Sequence, residues 1–339
     1  MNPLVSVLFP VYNAAATLPA ALDSMLRQSL RAIEIVAVDD GSKDRSPEIL
    51  ERFARDDERV HPVLTEHRGL IPALNLTLAR ANGALVARMD ADDVSHPDRL
   101  GKQAALLQER QDVSVVGSLV RSFPGNEVRQ GYRIYETWLN RLTTHEEIVR
   151  EIFIESPLVH PSVMMRREEL TALGGYQDRG WAEDYDLWLR YYLAGKRFAK
   201  VAEVLHFWRE REDRLTRTDP RYSVENFLRA KAFYLLGGPL RDRDSVMVWG
   251  AGKTGRRISK HLQRGGASLV AFVDVDARKI GTSVRGVPVV GPDELLRVWA
   301  NNARPVLLSA VSSRGARGRI RTWLDQAGLN EGEDFLCVA

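Results

Sequence analysis

Residues 84–93 read ALVARMDADD, so an apolar run leads directly into three carboxylates, Asp90, Asp92 and Asp93. A short apolar run bounded by polar residues is typical of a strand that is buried on both faces. We therefore predict a strand over residues 84–89 that delivers the Asp90 loop to the edge of a sheet.

The chain before this stretch alternates between strand and helix patterns. Apolar residues spaced three or four apart predict the helices, and proline in Ser46-Pro47 is typical of a helix start. Thr17 precedes the first helix as a candidate cap. Short apolar runs predict strands over residues 4–9, 33–38 and 60–64. The alternation predicts an α/β fold with a parallel sheet covered by helices on both faces.

Acidic residues follow two strands of this predicted sheet. Asp39 and Asp40 end the second strand, and the Asp90 loop ends the fourth. The carboxyl ends of parallel strands share one edge of a sheet, and ligands bind beyond that edge. We therefore expect the two acidic clusters to face the same ligand.

The Asp90-Ala91-Asp92 motif has the composition of a site for a hard divalent cation. Its two carboxylates can direct oxygens at one ion, and Mg²⁺ or Mn²⁺ prefers oxygen ligands that include substrate phosphates. A short Asp-x-Asp also occurs in surface loops that hold no ion. Its place at a strand end favours the metal, because crowded carboxylates repel one another unless a cation or hydrogen-bond donors compensate them.

The motifs, in their order along the chain, resemble those of glycosyltransferase family 2. The resemblance covers about residues 4–217 and implies the GT-A fold, an α/β nucleotide-sugar-binding domain that we assign to residues 1–239. The segments that carry it are VSVLFPVYN at 5–13, VDDGS at 38–42 with Asp44, RMDADD at 88–93, HPSVM at 160–164, GGY at 174–176 and Glu183-Asp184.

The resemblance implies how the donor is bound. Pro10 and Tyr12 would pack against the nucleotide base. Asp40 would accept a hydrogen bond from the base, which favours UDP as the nucleotide. Asp90 would contact the ribose or the metal shell, and Asp92 would ligate Mg²⁺ or Mn²⁺.

Asp184 is the residue to which the resemblance gives the catalytic role. It falls in the first turn of a predicted helix over residues 181–193, where the positive helix potential favours an ionised carboxylate. That carboxylate would take the proton from an acceptor hydroxyl as its oxygen attacks the anomeric carbon, with inversion there. Without the resemblance, the position of Glu183 and Asp184 favours a role in stabilising the helix start. Asp186 points away from Asp184.

Other positions have less specific roles. Asp93 would share a task with its acidic neighbours, and Asp39 would orient the turn at Gly41. Many family members have an Arg-x-His pair after the last strand, whereas this chain has Arg211 at the histidine position. We expect Arg211 to contact the diphosphate, because guanidinium pairs well with phosphate oxygens. His206 is expected to be an ordinary histidine at a strand end.

A second, Rossmann-like domain is predicted over residues 240–339. Gly250, Gly252 and Gly255 follow an apolar strand in the Gly-x-Gly-x-x-Gly pattern, and Asp274 ends the next strand. In a dinucleotide site the glycines admit phosphate and the acid meets a ribose. The segment also resembles nucleotide-binding N-terminal domains of sugar-modifying enzymes. NAD(P), another nucleotide and a purely structural role stay open. The segment lacks a Tyr-x-x-x-Lys pair for hydride transfer, so we favour binding or scaffolding over a second catalytic centre.

Composition narrows the class of protein. The chain of 339 residues has a single cysteine, Cys337, which excludes an internal disulfide and a thiolate metal cluster. The N-terminus shows no signal-peptide pattern, and no apolar run reaches the ~18 residues of a membrane span. We therefore expect a reduced cytoplasmic protein.

The net charge of +3 is concentrated in the C-terminal third, where Arg314, Arg317, Arg319 and Arg321 form a cluster. The cluster fits either a solvated helix face or contact with anionic lipid or phosphate. Peripheral contact with the inner face of the membrane is therefore among the expectations. Nucleic acid is disfavoured, because no aromatic platform accompanies the charge.

The sequence as a whole predicts an inverting glycosyltransferase. It would move a sugar from a nucleotide donor, with UDP favoured, to a hydroxyl of a glycan or lipid-linked acceptor in the biosynthesis of surface polysaccharide. The alternative is a non-catalytic nucleotide-sensing or assembly protein, which the missing histidine and the second domain would suit. A nucleotidyltransferase is disfavoured, because no Gly-rich loop bearing Arg or Lys follows the first strand.

Overall fold

The computed structural model describes residues 3–126, 128–211 and 214–339. The chain forms two compact units. The first comprises Met1–Ile148, Pro157–Arg179 and Glu183–Thr218, and the second comprises Val149–Ser156, Gly180–Ala182 and Asp219–Ala339. The second unit includes the residues just before 240, and the domain boundary predicted there stays a prediction.

An eight-stranded sheet forms the centre of the first unit, within the residues described. Its order is β3-β2-β1-β4-β7-β6-β8-β5. The strands are β1 (Val5–Val11), β2 (Ile33–Asp40), β3 (Val60–Thr65), β4 (Leu85–Arg88), β5 (Val94–Ser95), β6 (Val113–Phe123), β7 (Met164–Arg166) and β8 (Arg197–Arg209).

The predicted parallel sheet is confirmed for the first four strands. β1 lies between β2 and β4 and pairs in parallel with both, and β2 pairs in parallel with β3. β7 then runs antiparallel to β4 and β6, so the sheet as a whole is mixed. The ends of β2 and β4 therefore reach the same edge, as their acidic residues predicted.

Helices cover this sheet and connect its strands. Alternation along β1 directs Val5, Val7, Phe9 and Val11 into a core that Leu22 of the first helix shares. The helices are α1 (Leu18–Leu26), α2 (Ser46–Asp56), α3 (Leu70–Arg80), α4 (Arg99–Glu109), α5 (Gln130–Leu139), α6 (His145–Glu151), α7 (Arg167–Ala172), α8 (Glu183–Leu193) and α9 (Leu215–Thr218).

Thr17 immediately precedes α1, but it does not cap that helix through its side chain. Its hydroxyl donates instead to the backbone carbonyl of Ala91, at 3.0 Å. The predicted capping residue thus links the start of α1 to the acidic loop.

A bulge interrupts the pairing of β8 with β6. Ser118 pairs with Val201, whereas Leu119 pairs with Val204, so residues 202 and 203 protrude from the ladder. Both are exposed. Beyond the bulge, β8 pairs with β5, and His206 lies opposite Ser95.

The second unit contains a six-stranded sheet, among the residues described, in the order β11-β12-β10-β9-β13-β14. Its strands are parallel except for β11. The elements are α10 (Val224–Gly237), β9 (Ser245–Trp249), α11 (Lys253–Arg264), β10 (Leu269–Val273), β11 (Ser283–Val284), β12 (Val287–Val290), α12 (Pro292–Ala300), β13 (Pro305–Ser309), α13 (Ala316–Gln326) and β14 (Phe335–Cys337). The predicted strand, Gly-rich turn, helix and strand are confirmed as β9, α11 and β10.

None of the helices described in either unit has the length and apolar character needed to cross a bilayer.

The three glycines of the turn between β9 and α11 differ in what they require. Gly250 has φ +114°, which side-chain-bearing residues rarely adopt. A Cβ on Gly255 would lie 1.8 Å from the carbonyl oxygen of Gly250. A Cβ on Gly252 would meet no atom within 4 Å. Backbone conformation at Gly250 and close packing at Gly255 are therefore enough to require glycine at these two positions.

We predict that Gly255→Ala destabilises the protein, whereas Gly252→Ala does not. Overpacking should lower the free energy of unfolding by about 2 kcal/mol for Gly255→Ala. Gly252→Ala should leave it unchanged or raise it by about 0.5 kcal/mol, because alanine restricts only the unfolded chain there. Urea denaturation of the two variants checks this. Equal destabilisation by both would contradict the packing argument.

Candidate active site

Three carboxylates crowd the loop that follows β4. One oxygen each of Asp90, Asp92 and Asp93 lies within 4.8 Å of the others. Burial, reinforced by the neighbouring acids, raises the pKa of Asp92 to about 7 and that of Asp93 to about 8. The protein alone therefore compensates the charged form of the loop poorly. An oxygen-rich set with excess negative charge fits Mg²⁺ or Mn²⁺, which would favour the ionised carboxylates.

Arg88, the last residue of β4, compensates Asp90. Its Nη2 donates to Asp90 Oδ1 at 2.5 Å, although the arginine side chain is only 1% exposed. Burial alone would raise the pKa of Asp90, but the Arg88 guanidinium holds it below its ordinary value. Removing either partner would leave the other as an uncompensated charge, so the pair fixes the direction of Asp90.

Asp93 is held by β8. Its Oδ1 accepts from the backbone N–H of Arg209 at 2.7 Å, and its Oδ2 lies 2.9 Å from His206 Nε2. Arg99 Nη1 lies 3.1 Å from the other ring nitrogen, Nδ1. Because arginine only donates, Nδ1 accepts and His206 Nε2 donates its proton to Asp93. Burial and then Arg99 lower the pKa of His206, so this ring is neutral. His206 thus lies buried against the acidic loop.

Asp92 faces two arginines. Arg211 Nη1 lies 3.6 Å from Asp92 Oδ2, so the arginine at the expected histidine position stands beside the predicted metal ligand. Arg214 stacks on Trp208, with its guanidinium carbon 4.0 Å from the ring centroid. Against the larger effects of burial and of the acids, both arginines act to lower the pKa of Asp92. They are positioned to meet a phosphate group that approaches this carboxylate.

The predicted base-binding residues Tyr12 and Asp40 lie together near the ends of β1 and β2. Tyr12 is 45% exposed and stacks on His67, with ring centroids 4.2 Å apart. His67 Nδ1 lies 2.8 Å from Asp40 Oδ2. The backbone N–H groups of Arg68 and Gly69 donate to the two carboxylate oxygens of Asp40, at 2.8 Å each. Asp40, which is 4% exposed, therefore organises the turn before α3, and these contacts occupy about three of its roughly four acceptor positions.

Pro10 and Asp39 are placed differently from their neighbours. Pro10 is buried within β1, opposite Val38, so Tyr12 is the one of the two predicted base contacts that a base can reach. Asp39 points to the opposite face of the sheet from Asp40. There its Oδ1 accepts from the backbone N–H of Ser42 at 2.9 Å, the contact needed to orient this turn.

Asp184 lies in the first turn of α8, which begins at Glu183, and its side chain is half-buried. The acids beside it are engaged within the protein. Glu183 is 2% exposed, and its Oε1 lies 3.6 Å from His160 Nδ1. Asp186 is fully buried and accepts from Arg190 Nε at 2.8 Å. Asp184 is therefore the most accessible carboxylate of this turn.

The acidic loop and α8 belong to one side of the sheet edge. His160, which contacts Glu183, also lies within electrostatic reach of Arg88 and Asp90. The predicted base-binding residues lie farther along the same edge. The end of β2 is two strands from the end of β4, about 10 Å at the usual strand spacing.

Sequence reasoning missed Arg88, Arg99, His67 and the contacts of His160. Arg88 interrupts an apolar strand, and an arginine is rarely buried without a partner. That signal pointed to a charged network next to the Asp90 loop. For the other residues the sequence offered no comparable signal, since their partners are distant in the chain.

Comparisons with known proteins agree with this geometry. The family profile described as glycosyl transferase family 2 matches residues 6–173. EpsE of Bacillus subtilis (strain 168), which is named as a glycosyltransferase, is 33% identical over 230 residues, 66% of this chain and 80% of that protein. The amylovoran biosynthesis glycosyltransferase AmsE of Erwinia amylovora is 32% identical over 206 residues, 60% of this chain and 74% of AmsE.

Solved structures show a similar fold at low sequence identity. S. aureus TarS 1–349 in complex with UDP-GlcNAc superposes with a TM-score of 0.55 at 19% identity, over 78% of this chain and 73% of that chain. The mannosyltransferase PcManGT of Pyrobaculum calidifontis, in complex with GDP-Man and Mn²⁺, gives a TM-score of 0.50 at 21% identity. It covers 78% of this chain and 69% of that chain.

These likenesses and the acidic loop at the sheet edge have one explanation. The fold is the mixed α/β fold of GT-A enzymes, and the Asp90 loop places a cluster of carboxylates at the edge of its sheet. The chain therefore belongs to glycosyltransferase family 2 and acts as a glycosyltransferase.

Proposed function

We propose that this enzyme transfers a sugar from a UDP-sugar to an acceptor hydroxyl, with inversion at the anomeric carbon. The acceptor is a glycan or lipid-linked precursor of a surface polysaccharide. The crowded acidic loop beside Arg211 and α8 is the observation that carries this proposal. Two similar proteins support it, since AmsE is named for amylovoran biosynthesis and the TarS structure holds UDP-GlcNAc.

On the donor side, Asp92 and Asp90 would hold a divalent cation. Mg²⁺ or Mn²⁺ bound there would compensate the negative charge that develops on the leaving group. Arg211 binds the diphosphate from the segment after β8, because its guanidinium forms paired hydrogen bonds with phosphate oxygens. The PcManGT complex with GDP-Man and Mn²⁺ supports the proposal of a divalent cation beside the diphosphate.

On the acceptor side, Asp184 is the general base. It accepts the proton of the acceptor hydroxyl while the hydroxyl oxygen bonds to the anomeric carbon. The bond from that carbon to the diphosphate oxygen breaks, and its electron pair leaves with UDP. Because attack and departure occur on opposite faces, the configuration at the anomeric carbon inverts.

The contacts of Asp40 support a uracil base. The carboxylate already accepts from two backbone N–H groups and lies against His67, which leaves about one acceptor position. Uracil offers one ring N–H, whereas the edge of guanine offers two donors to a carboxylate. Tyr12, exposed beside Asp40, supplies the stacking surface for the base.

In the second unit, we propose scaffolding as the principal role. Asp274 Oδ2 accepts from the backbone N–H of Ala251 and from Lys279 Nζ, at 2.9 Å each, and these contacts compete with the predicted ribose. Gly250 and Gly255 are required by packing. These contacts weaken the prediction of NAD(P) or another nucleotide, which stays untested.

The arginine cluster near the C-terminus supports a solvated helix face better than a membrane contact. Arg317 pairs with Glu151, and Arg321 pairs with Glu151 and Glu331. Arg314 and Arg319 are the exposed members that anionic lipid would meet. Peripheral membrane contact therefore stays a prediction, and two of the four arginines of the cluster already pair with glutamates of the protein.

Removing the metal ligand should abolish stabilisation by Mn²⁺. At about a hundred times its Kd, a ligand that binds only the folded state stabilises that state by about 2.7 kcal/mol, so Mn²⁺ should raise the Tm of the unaltered protein. Asp92→Asn should lose most of this rise. Asp23→Asn, which changes an exposed carboxylate of α1, should keep it. A full rise in Asp92→Asn would count against Asp92 as a ligand.

Removing the general base should lower turnover without weakening donor binding. For Asp184→Asn we expect kcat to fall by about 10²- to 10⁴-fold and the donor KM to stay near its original value. UDP release from a panel of UDP-sugars measures both constants. Glu168→Gln, on the exposed face of α7, is the matched control. Unchanged kcat in Asp184→Asn with every donor used would refute the assignment.

A further inference from the structure

Tyr176, His160 and Glu183 form a row of buried polar groups under the first turn of α8. His160 Nε2 lies 3.1 Å from the Tyr176 hydroxyl oxygen, and His160 Nδ1 lies 3.6 Å from Glu183 Oε1. Only 7% of His160 and 2% of each of the other two residues is exposed. None of these three groups has a part in the mechanism above, although Glu183 adjoins Asp184.

The environment selects one tautomer of the His160 ring. Burial and the nearby Arg88 guanidinium lower its pKa despite Glu183, so the ring is neutral and carries one proton. The Glu183 carboxylate, which cannot donate, lies 3.6 Å from Nδ1, and its negative charge favours that proton on Nδ1. Nε2 is then an acceptor, and the Tyr176 hydroxyl donates to it. The protons of the row thus all point one way: the Tyr176 hydroxyl points to His160, and the His160 N–H points to Glu183.

Tyr176 is held in place by α3 and α8. Asn75 of α3 accepts from its backbone N–H at 2.9 Å and donates to its carbonyl at 2.8 Å. Gly175 precedes it with φ +63°, and a Cβ there would lie 2.7 Å from Asn75 Oδ1. Arg190 of α8, oriented by Asp186, donates to the Gly175 carbonyl at 2.8 Å. The backbone that carries the Tyr176 side chain is therefore held in a fixed position.

We propose that His160 is a positioning residue for the general base and that the Tyr176 hydroxyl holds the His160 ring in place through Nε2. The row holds Glu183 inside the protein, beside the half-buried Asp184, and so fixes the backbone from which Asp184 extends. His160 also lies within electrostatic reach of Arg88 and Asp90 at the end of β4. The inference rests on the proposed function, since it needs Asp184 as the base.

Tyr176→Phe tests this inference by removing only the hydroxyl. A misplaced catalytic group costs about ten- to a hundredfold in rate, so we expect kcat to fall by that factor with the donor KM and the Tm nearly unchanged. Tyr191→Phe is the matched control. Tyr191 lies in α8, is fully buried, and its hydroxyl has no hydrogen-bond partner among the described residues. Its kcat should be unaltered.

Two histidine variants separate positioning from a purely structural role. His160→Asn retains an N–H near the position of Nδ1 and should recover much of kcat. His160→Leu lacks both ring nitrogens and should lose kcat at least as strongly as Tyr176→Phe. If both variants lower Tm but keep kcat per folded molecule, the positioning role is wrong.

A double mutant identifies the group through which Tyr176 acts. Tyr176→Phe should add little to the loss caused by Asp184→Asn, since both changes affect the same proton transfer. Losses that multiply would overturn the inference while leaving the function of Asp184 intact. Unaltered turnover in Asp184→Asn alone would overturn the proposed function itself.

Discussion

Repulsion among Asp90, Asp92 and Asp93 is the constraint on which the rest of the first unit depends. Each acid meets a polar partner from a different part of the chain. Arg88 approaches Asp90 from β4, His206 holds Asp93 from β8, and Arg211 faces Asp92 from the segment that follows. The antiparallel pairing of the short β5 with β8 makes this convergence possible, because it brings the end of β8 back over the loop.

The fold and the chemistry of the loop were predictable because both are local. Apolar runs and helical spacing reveal which segments are strands and helices, and parallel strands in order bring Asp40 and Asp90 to one edge. Asp184 was predictable as a first-turn residue for the same reason, since α8 begins at Glu183. Two acids separated by one residue directly after a strand also predicted a candidate oxygen-ligand site, which stays a prediction.

The contacts that distinguish one acid from another were not predictable, because they join residues far apart in the chain. Asp93 and His206 are separated by 113 positions, and no local pattern relates them. The acceptor positions of Asp40 are occupied by backbone N–H groups before α3, and backbone groups carry no sequence signal. In the second unit, the Gly-x-Gly-x-x-Gly pattern predicted a ligand where the close approach of Gly255 to Gly250 already requires glycine.

The bulge in β8 determines where this strand tolerates a change in length. Side chains alternate along a strand, so a slip of one residue would exchange His206 for Phe207 against the acidic loop. Residues 202 and 203 already lie outside the ladder and are exposed, upstream of that pairing. An insertion or deletion there can be absorbed by the protruding backbone. From His206 onward, where the pairing with β6 is regular, the same change would rotate the remaining side chains of β8 to the wrong face.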